Sequence, residues 1–474
     1  MSDQRNHAKA GILNRSLDRR DLVKTAGAAG LALAGAGGLK PSISAQDKLT
    51  PPDLNKDFSG DEALVLNSWN YEVNFVQENI DRFKQQNKEN VNYEILSGDY
   101  PALMEQKHVN KSPLDVSYVL DTNHPRWAIA GWIHDFEQWW DVEAAKADMY
   151  DNVRAVITFN DKLYGLPYFT ADSGIIATNQ VILDKVGITR EQYPKNWAQL
   201  YDQMRQVKAA GAAETPWLPK WINEWFGMPI GVYEEMINQG LELVDDAGNP
   251  IFDETTEHVR ILEDGKRAWD EGLIPQSVLT MTEIDQIDGF ATGAYAMSQQ
   301  QMYDLEVFNR PERSQIAGHA YFVPPGDSYW GHLQAGAYTV ANRGREGERL
   351  ARSFRLAGWF GYKDNEGVIY VARRWAQIRA LNSGYRSVLE DPEVIAAYRT
   401  WMPDPDTMLA DMNTSMNMVQ PLKMTRLVWF QEWSTKAREI LPNIMLGNVT
   451  PADGVKQLRE EANALQERYK DVKF

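Results

Sequence analysis

Residues 63–69, Ala-Leu-Val-Leu-Asn-Ser-Trp, form a short, nearly continuous apolar run, as expected of a strand buried in a parallel sheet. Behind it, Val73, Val76, Ile80 and Phe83 recur at i, i+3, i+7 and i+10, which predicts one face of an amphipathic helix. Residues 91–96 read as a second strand, so this segment is a βαβ unit. A third apolar run, 114–120, stops at Asp121, Thr122 and Asn123. Ligands of open α/β sheets bind in the crevice outside the carboxyl ends of the strands. The polar groups from Asn67 to Glu72 and from Asp121 to Asn123 are therefore the first candidates for a site.

Further along, Asn160-Asp161-Lys162 is a turn signal before an extended, Pro-containing stretch that ends at Tyr168. Residues 175–178 predict another strand, separated from it by the polar break Thr170-Ala171-Asp172-Ser173, where a crossing between domains is expected. Asn196 caps a predicted helix whose apolar face is Trp197, Leu200, Met204 and Val207, with Gln199 completing a capping-box pattern. Thr450, with Pro451 and Asp453, opens the last helix, which carries Val455, Leu458, Ala462 and Leu465. No repeat period is found.

The chain has 474 residues, of which 43% are hydrophobic, 11% aromatic and 24% charged, enough apolar material for substantial cores. Its net charge of −17 repels nucleic-acid phosphate and anionic membrane, so neither is expected as a partner. The charge is uneven. The first 45 residues carry seven Lys or Arg against three Asp, and Arg19 and Arg20 precede a weakly apolar, Ala- and Gly-rich run over 25–39. Small residues follow at 41–45, so 1–45 read as a signal peptide that is removed on export. The twin arginines resemble a Tat signal, with the Sec route still open. An apolar run of about 15 residues is too short to span a bilayer. Residues 46–60, polar and carrying Pro51-Pro52, read as a flexible leader.

With no cysteine, the chain has no disulfide, thiol nucleophile, thiolate metal site or lipobox. The seven histidines, at 7, 108, 124, 134, 258, 319 and 332, include no pair at helical metal-ligand spacing. No metal, cofactor or catalytic residue is expected.

Several local patterns occur together: Leu114-Asp115-Val116; Leu163-Tyr164-Gly165-Leu166-Pro167-Tyr168; Pro194-Lys195-Asn196-Trp197; Phe290-Ala291-Thr292-Gly293-Ala294-Tyr295-Ala296-Met297; Phe322-Val323-Pro324-Pro325-Gly326; and Gly336-Ala337-Tyr338-Thr339-Val340-Ala341. In this order they resemble the family 1 extracellular solute-binding proteins, the group that includes maltodextrin-binding proteins. The resemblance covers roughly residues 61–470. It implies a type II periplasmic-binding-protein fold of α/β class, with two discontinuous lobes joined by a hinge that closes over a ligand. The expected lobes are 61–171 with 329–383, N-terminal, and 172–328 with 384–474, C-terminal. The function it implies is non-enzymatic: a monomer in the periplasm captures a small polar solute, a carbohydrate or sugar derivative, and delivers it to the permease of an ABC importer.

The candidate ligand contacts are Trp69, Tyr71, Asp121, Thr122, Tyr168, Asp172, Trp225, Gln300, Tyr303 and Tyr338. A pyranose packs its C–H face on an aromatic ring and needs planar polar partners for its hydroxyls, which this set combines. By the resemblance, Tyr303 takes the place of a stacking aromatic, Asp121 and Thr122 sit in a contact loop, and Gly336-Ala337-Tyr338 lies on the returning strand. Each has a plainer reading: Asp121 as a helix cap, the Gln299–Gln301 run as polar surface, Trp217 to Phe226 as a structural plug. Trp429 and Trp433, spaced i, i+4, are as readily core as platform. Arg373-Arg374-Trp375 reads as a solvated helix face, with an anion site as the alternative. Two rival functions remain at this point. The same fold could hold a polyamine or other non-sugar solute. A secreted glycoside hydrolase could use paired carboxylates such as Glu234-Glu235, Asp121 and Asp172.

Overall fold

The computed structural model describes residues 48–326 and 329–472; Arg19, Arg20 and the whole expected signal peptide lie outside the described residues. Ten strands are present: β1 (Leu64–Trp69), β2 (Val91–Leu96), β3 (Val116–Leu120), the short pair β4 (Thr158–Phe159) and β5 (Lys162–Leu163), β6 (Leu166–Asn179), β7 (Trp217–Leu218), β8 (Met297–Gln301), β9 (Ala320–Phe322) and β10 (His332–Val340). Eight of them form one sheet in the order β2-β1-β3-β10-β6-β8-β7, with β9 also paired to β6.

The first strands are parallel, β1 lying between β2 and β3, and the helix Val73–Asn87 crosses between β1 and β2. That helix buries Val76, Ile80 and Phe83, as their spacing predicts, with Phe75 added. Its N-cap, Glu72, has φ +47, a left-handed conformation that is rare for a residue bearing a Cβ. The Leu114-Asp115-Val116 pattern has a structural explanation. Buried Asp115 accepts from Val65 N at 2.8 Å and pairs with Arg349 at 2.7 Å, tying β1 to the helix Gly347–Gly361. By itself, the helix Tyr100–Val109 is capped by Asp99, whose carboxylate accepts from Ala102 N at 3.2 Å.

The expected break at Thr170–Ser173 is absent. β6 runs unbroken for 14 residues, all buried, pairing with β10 over Leu166–Ser173 and with β8 from Ser173 to Thr178. Groups from distant parts of the chain bond to this polar stretch, although Thr170 Oγ1 and Asp172 Oδ1 are buried without a partner. Thr170 N donates to Asn382 O at 2.6 Å, Ser415 donates to Asp172, and Lys220 donates to Ser173 Oγ at 2.6 Å. The register of β6 shifts twice: against β10 at Tyr168, and against β8 at Gly174, whose φ of +84 suits glycine.

At the far end of the chain, Thr450 caps the helix Pro451–Tyr469, accepting from Asp453 N at 3.1 Å. It packs against the helix Phe430–Met445, where Trp429 and Trp433 are buried and Trp433 Nε1 donates to Leu458 O at 3.0 Å, so both tryptophans are core. Asn196 caps the helix Trp197–Ala209 as predicted. Gln199 reaches back to Lys195 N rather than to the cap residue's own N–H. No helix among the described residues is long and apolar enough to cross a membrane.

Candidate functional site

The carboxyl end of β1 leads directly into a tight turn, closed by Tyr71 N donating to Trp69 O at 2.9 Å, which places both rings at or just past the carboxyl end of this interior strand. Tyr168 and Phe169 come from β6, and Tyr338 from β10. Gly336 allows this convergence, because a Cβ there would lie 2.0 Å from the Phe169 ring. From the other end of the sheet come Tyr303, just past β8, and Glu283 in the first turn of the helix Glu283–Ala291. The helix Tyr370–Arg379 adds Trp375.

These groups line a narrow inner cavity of about 40 Å³, bordered by Trp69, Tyr71, Tyr118, Tyr168, Phe169, Glu283, Tyr303, Tyr338 and Trp375. Tyr71 stacks on Trp375 at 5.9 Å and 21°, and on Trp69 at 6.4 Å and 28°. Tyr168 meets Tyr338 at 4.9 Å. The cavity shares Trp69, Tyr71, Glu283 and Tyr303 with an outer one of about 500 Å³, whose wall adds Glu72, Glu224, Asp288, Asp304, Glu306, Arg313 and Arg379. A volume of this size suits a small organic ligand. A much smaller space of about 10 Å³, beside Lys220, Glu283, Gln300, Gln301 and Asp304, shares Glu283 and Asp304 with the outer cavity, and another of like size, beside Thr122, Lys220, Trp225, His332 and Gln334, shares Lys220 with the first.

Burial dominates the electrostatics. It pushes the phenols of Tyr71 and Tyr303 far up, helped by nearby Asp304 and Glu283, so both are neutral hydrogen-bonding groups at physiological pH. Burial likewise pushes Glu283 up to about 7, Glu224 adding to the effect and Lys220 opposing it. Asp304 is raised well above the carboxylate range by burial and then by Glu283.

Beneath the cleft lies a buried polar cluster centred on Glu234, which is fully inaccessible. Lys220 Nζ lies 3.3 Å and His332 Nδ1 2.7 Å from Glu234 Oε1, and Gln299 Nε2 donates to Oε2 at 2.7 Å. Burial pushes Glu234 up, but Lys220 and His332 together outweigh it and leave the carboxyl below its ordinary value. The cluster links the loop at Lys220, the helix Met228–Asn238, β8, β6 through Ser173, and β10 through His332.

Of the residues the sequence nominates, Trp69, Tyr71, Tyr168, Tyr303 and Tyr338 meet around the inner cavity, while Thr122 and Trp225 line one small space and Gln300 the other. Trp225 also meets Trp69 edge-on at 6.2 Å. Asp172 lies within β6 and Asp121 in the turn just past β3, and neither borders any of these cavities. Asp121 accepts from Ala335 N at 3.2 Å and is pushed up to about 6 by burial, against the pull of His332. It is not a helix cap; Asn123 holds that position for the helix His124–Ile129. Asp172 is raised well above the ordinary range by burial, against its bond from Ser415. Glu234 sits in the cluster just described, and its neighbour Glu235 accepts from Tyr201 at 3.0 Å.

Sequence reasoning did not find Glu283, Asp304, Lys220 or Trp375 as cleft residues. Trp375 was masked by its arginine neighbours. Arg373 pairs with Asp391 and Glu393, and Arg374 with Glu78, while the ring turns inward and is 1% exposed. Among the described residues no group of three or more His, Asp or Glu is placed to hold a metal.

Residues 69–343 match the family model described as bacterial extracellular solute-binding protein. A comparison with curated protein sequences finds no match. Among solved structures, the chain resembles maltose-bound MalE3 of T. maritima, with a TM-score of 0.72, 16% identity, and coverage of 85% of this chain and 99% of that one. It also resembles the solute-binding protein of Agrobacterium radiobacter K84 in complex with ribitol, with a TM-score of 0.72 and 14% identity over 86% of this chain and 100% of that one. A third is the solute-binding protein of Agrobacterium vitis S4 with bound D-mannitol, with a TM-score of 0.68 and 16% identity over 86% and 98%. These matches give the sheet its meaning as the two-lobed, hinged α/β fold of periplasmic binding proteins, and the chain belongs to the bacterial extracellular solute-binding protein family.

Proposed function

We propose that the protein captures a small carbohydrate or polyol in the aromatic cleft and delivers it, unaltered, to the permease of an ABC importer in the periplasm. The observation that carries this reading is the convergence of Trp69, Tyr71, Tyr168, Tyr303, Tyr338 and Trp375 around one cavity that opens into a carboxylate-lined space. Rings supply the faces a sugar's C–H groups need, and neutral phenols and carboxylates supply donors and acceptors for its hydroxyls. The relatives of like fold that hold maltose, D-mannitol and ribitol support it.

The lobes of this reading are 61–171 with 329–383, and 172–328 with 384–474, acting as a monomer after removal of residues 1–45. Three segments near these boundaries lie side by side: Thr170 to Ser173 of β6, Leu333 to Ala335 of β10, and Asn382. The ligand contacts are the ten nominated residues, joined by Glu283 and Trp375. Isothermal titration with maltose, D-mannitol, ribitol and spermidine tests the reading, with solution scattering to follow closure. Binding of at least one hydroxylated compound with a smaller radius of gyration is expected. Hydrolysis of a saccharide by the purified protein, or binding of spermidine alone, would overturn it.

A further inference from the structure

The acids that line the cleft differ in how they are neutralised. Glu72 pairs with Arg379 at 2.6 Å and Glu306 with Arg310 at 2.7 Å, so those acids are neutralised locally. Glu283 and Asp304 have no ion-pair partner among the described residues. Lys220 shares a small cavity with them, but its ammonium is held by Glu234 at 3.3 Å and Ser173 at 2.6 Å. Asp304, 2% exposed, accepts from Gln301 N at 3.0 Å.

A second, independent feature lies in the same place. Gln301 is 5% exposed, and its side-chain carbonyl Oε1 is buried without a donor. It borders the small cavity together with Glu283 and Asp304. That cavity, about 10 Å³, has room for roughly one water-sized group, and Glu283 and Asp304 also face the outer cleft from which a ligand would enter. Two carboxyl groups and an unsatisfied carbonyl meet here, beside Lys220, whose ammonium is turned to Glu234 and Ser173, and the Gln286, Gln299 and Gln300 side chains, so the corner is rich in acceptors. A hydroxyl has a single hydrogen to give it, whereas an ammonium has three.

We infer that this corner is a subsite for a protonated amine on the solute, so that the preferred ligand is an amine-bearing sugar or polyol rather than a neutral one. The inference rests on the carbohydrate reading above and narrows it. The rings of Trp69 and Tyr303, at the mouth of the same cleft, add faces on which a cation is favoured. The charged or titratable groups around the pair are Lys220, Glu224, Arg313, Tyr71 and Tyr303. Burial holds Glu283 up to about 7. An ammonium favours its ionised form, so amine affinity should rise as pH rises through about 7, while a neutral sugar should show no such rise.

Titration calorimetry on the purified protein would compare D-glucosamine with D-glucose, 1-amino-1-deoxy-D-glucitol with D-glucitol, and spermidine. The inference expects the amine of at least one pair to bind at least about 10-fold more tightly than its neutral counterpart. That ratio should fall towards one in Glu283→Gln and in Asp304→Asn. The pH dependence in the unmutated protein provides a readout independent of how the variants fold. Neutral members binding as tightly as the amines would overturn the inference and leave the carbohydrate reading standing. No binding by any of the five would overturn the inference alone, the carbohydrate reading being decided by maltose, D-mannitol and ribitol; spermidine binding, with none of these sugars or polyols bound, would overturn both.

Discussion

Replacing Glu234 by Leu removes the centre of the buried cluster and leaves Lys220, a residue 3% exposed, without its ion-pair partner. At 3.3 Å the Coulombic attraction between the two is about 5 kcal/mol at an effective dielectric near 20, most of which offsets the cost of burying both charges. The variant loses that attraction but keeps the cost for Lys220, and breaking a buried pair in this way costs about 3–5 kcal/mol. His332 and Gln299 lose an acceptor as well. Against a stability of about 5–15 kcal/mol, the urea midpoint should drop sharply with little change in m. The double variant Glu234→Leu with Lys220→Met removes both charges, leaving only orphaned hydrogen bonds of about 1–2 kcal/mol. It should therefore recover at least about 2 kcal/mol relative to Glu234→Leu. If the double variant is no more stable than Glu234→Leu, or if Glu234→Leu costs under about 1 kcal/mol, the cluster is not an ion-paired hub.

Trp69→Ala and Tyr303→Ala should each weaken the binding of whichever sugar or polyol stabilises the protein by about 2 kcal/mol or more, read as loss of its ligand-induced rise in melting temperature; an unchanged rise removes that ring from the site. Gly174→Ala forces a Cβ to within 2.3 Å of the Glu234 carboxylate at φ +84 and should cost at least about 2 kcal/mol in chemical denaturation. Asp121, raised to about 6 in the folded state, stabilises the fold fully below its ordinary unfolded pKa and loses that contribution as pH rises through about 6. Asp121→Asn should then flatten the fall in stability across that window, by up to about 2–3 kcal/mol, and an unchanged pH profile would refute the assignment. Glu234, with its lowered pKa, acts in the opposite sense. Its contribution is present above the ordinary carboxylate pKa and lost as pH falls below it, so Glu234→Gln should be less sensitive to acid than the parent.

The elements that were legible in the sequence are those whose signal is local. The βαβ opening has an apolar run, a helical period and a second run, and β1, the helix Val73–Asn87 and β2 follow it closely. Asn196 and Thr450 stand at helix starts because a cap bond closes within three residues. β6 was split because Thr170, Asp172 and Ser173 look like a loop until Asn382, Ser415 and Lys220 arrive from elsewhere in the chain. The same reason hid part of the cleft. Aromatics after strand ends, such as Trp69 and Tyr71, stand out. Glu283 is one more acid in a helix's first turn, and nothing near it in sequence says that Asp304 and Gln301 will face it.

The unbroken course of β6 has a mechanical consequence. In the lobe division proposed above, β6 carries the chain from one lobe to the other as a ribbon hydrogen-bonded at one end to β10 and at the other to β8, so the lobes are not expected to swing about a single loose joint. Their relative rotation has to be absorbed as a small change of twist spread over many peptide units, the way a torsion bar stores a turn. Such a connection favours a limited, reproducible arc over free swivelling.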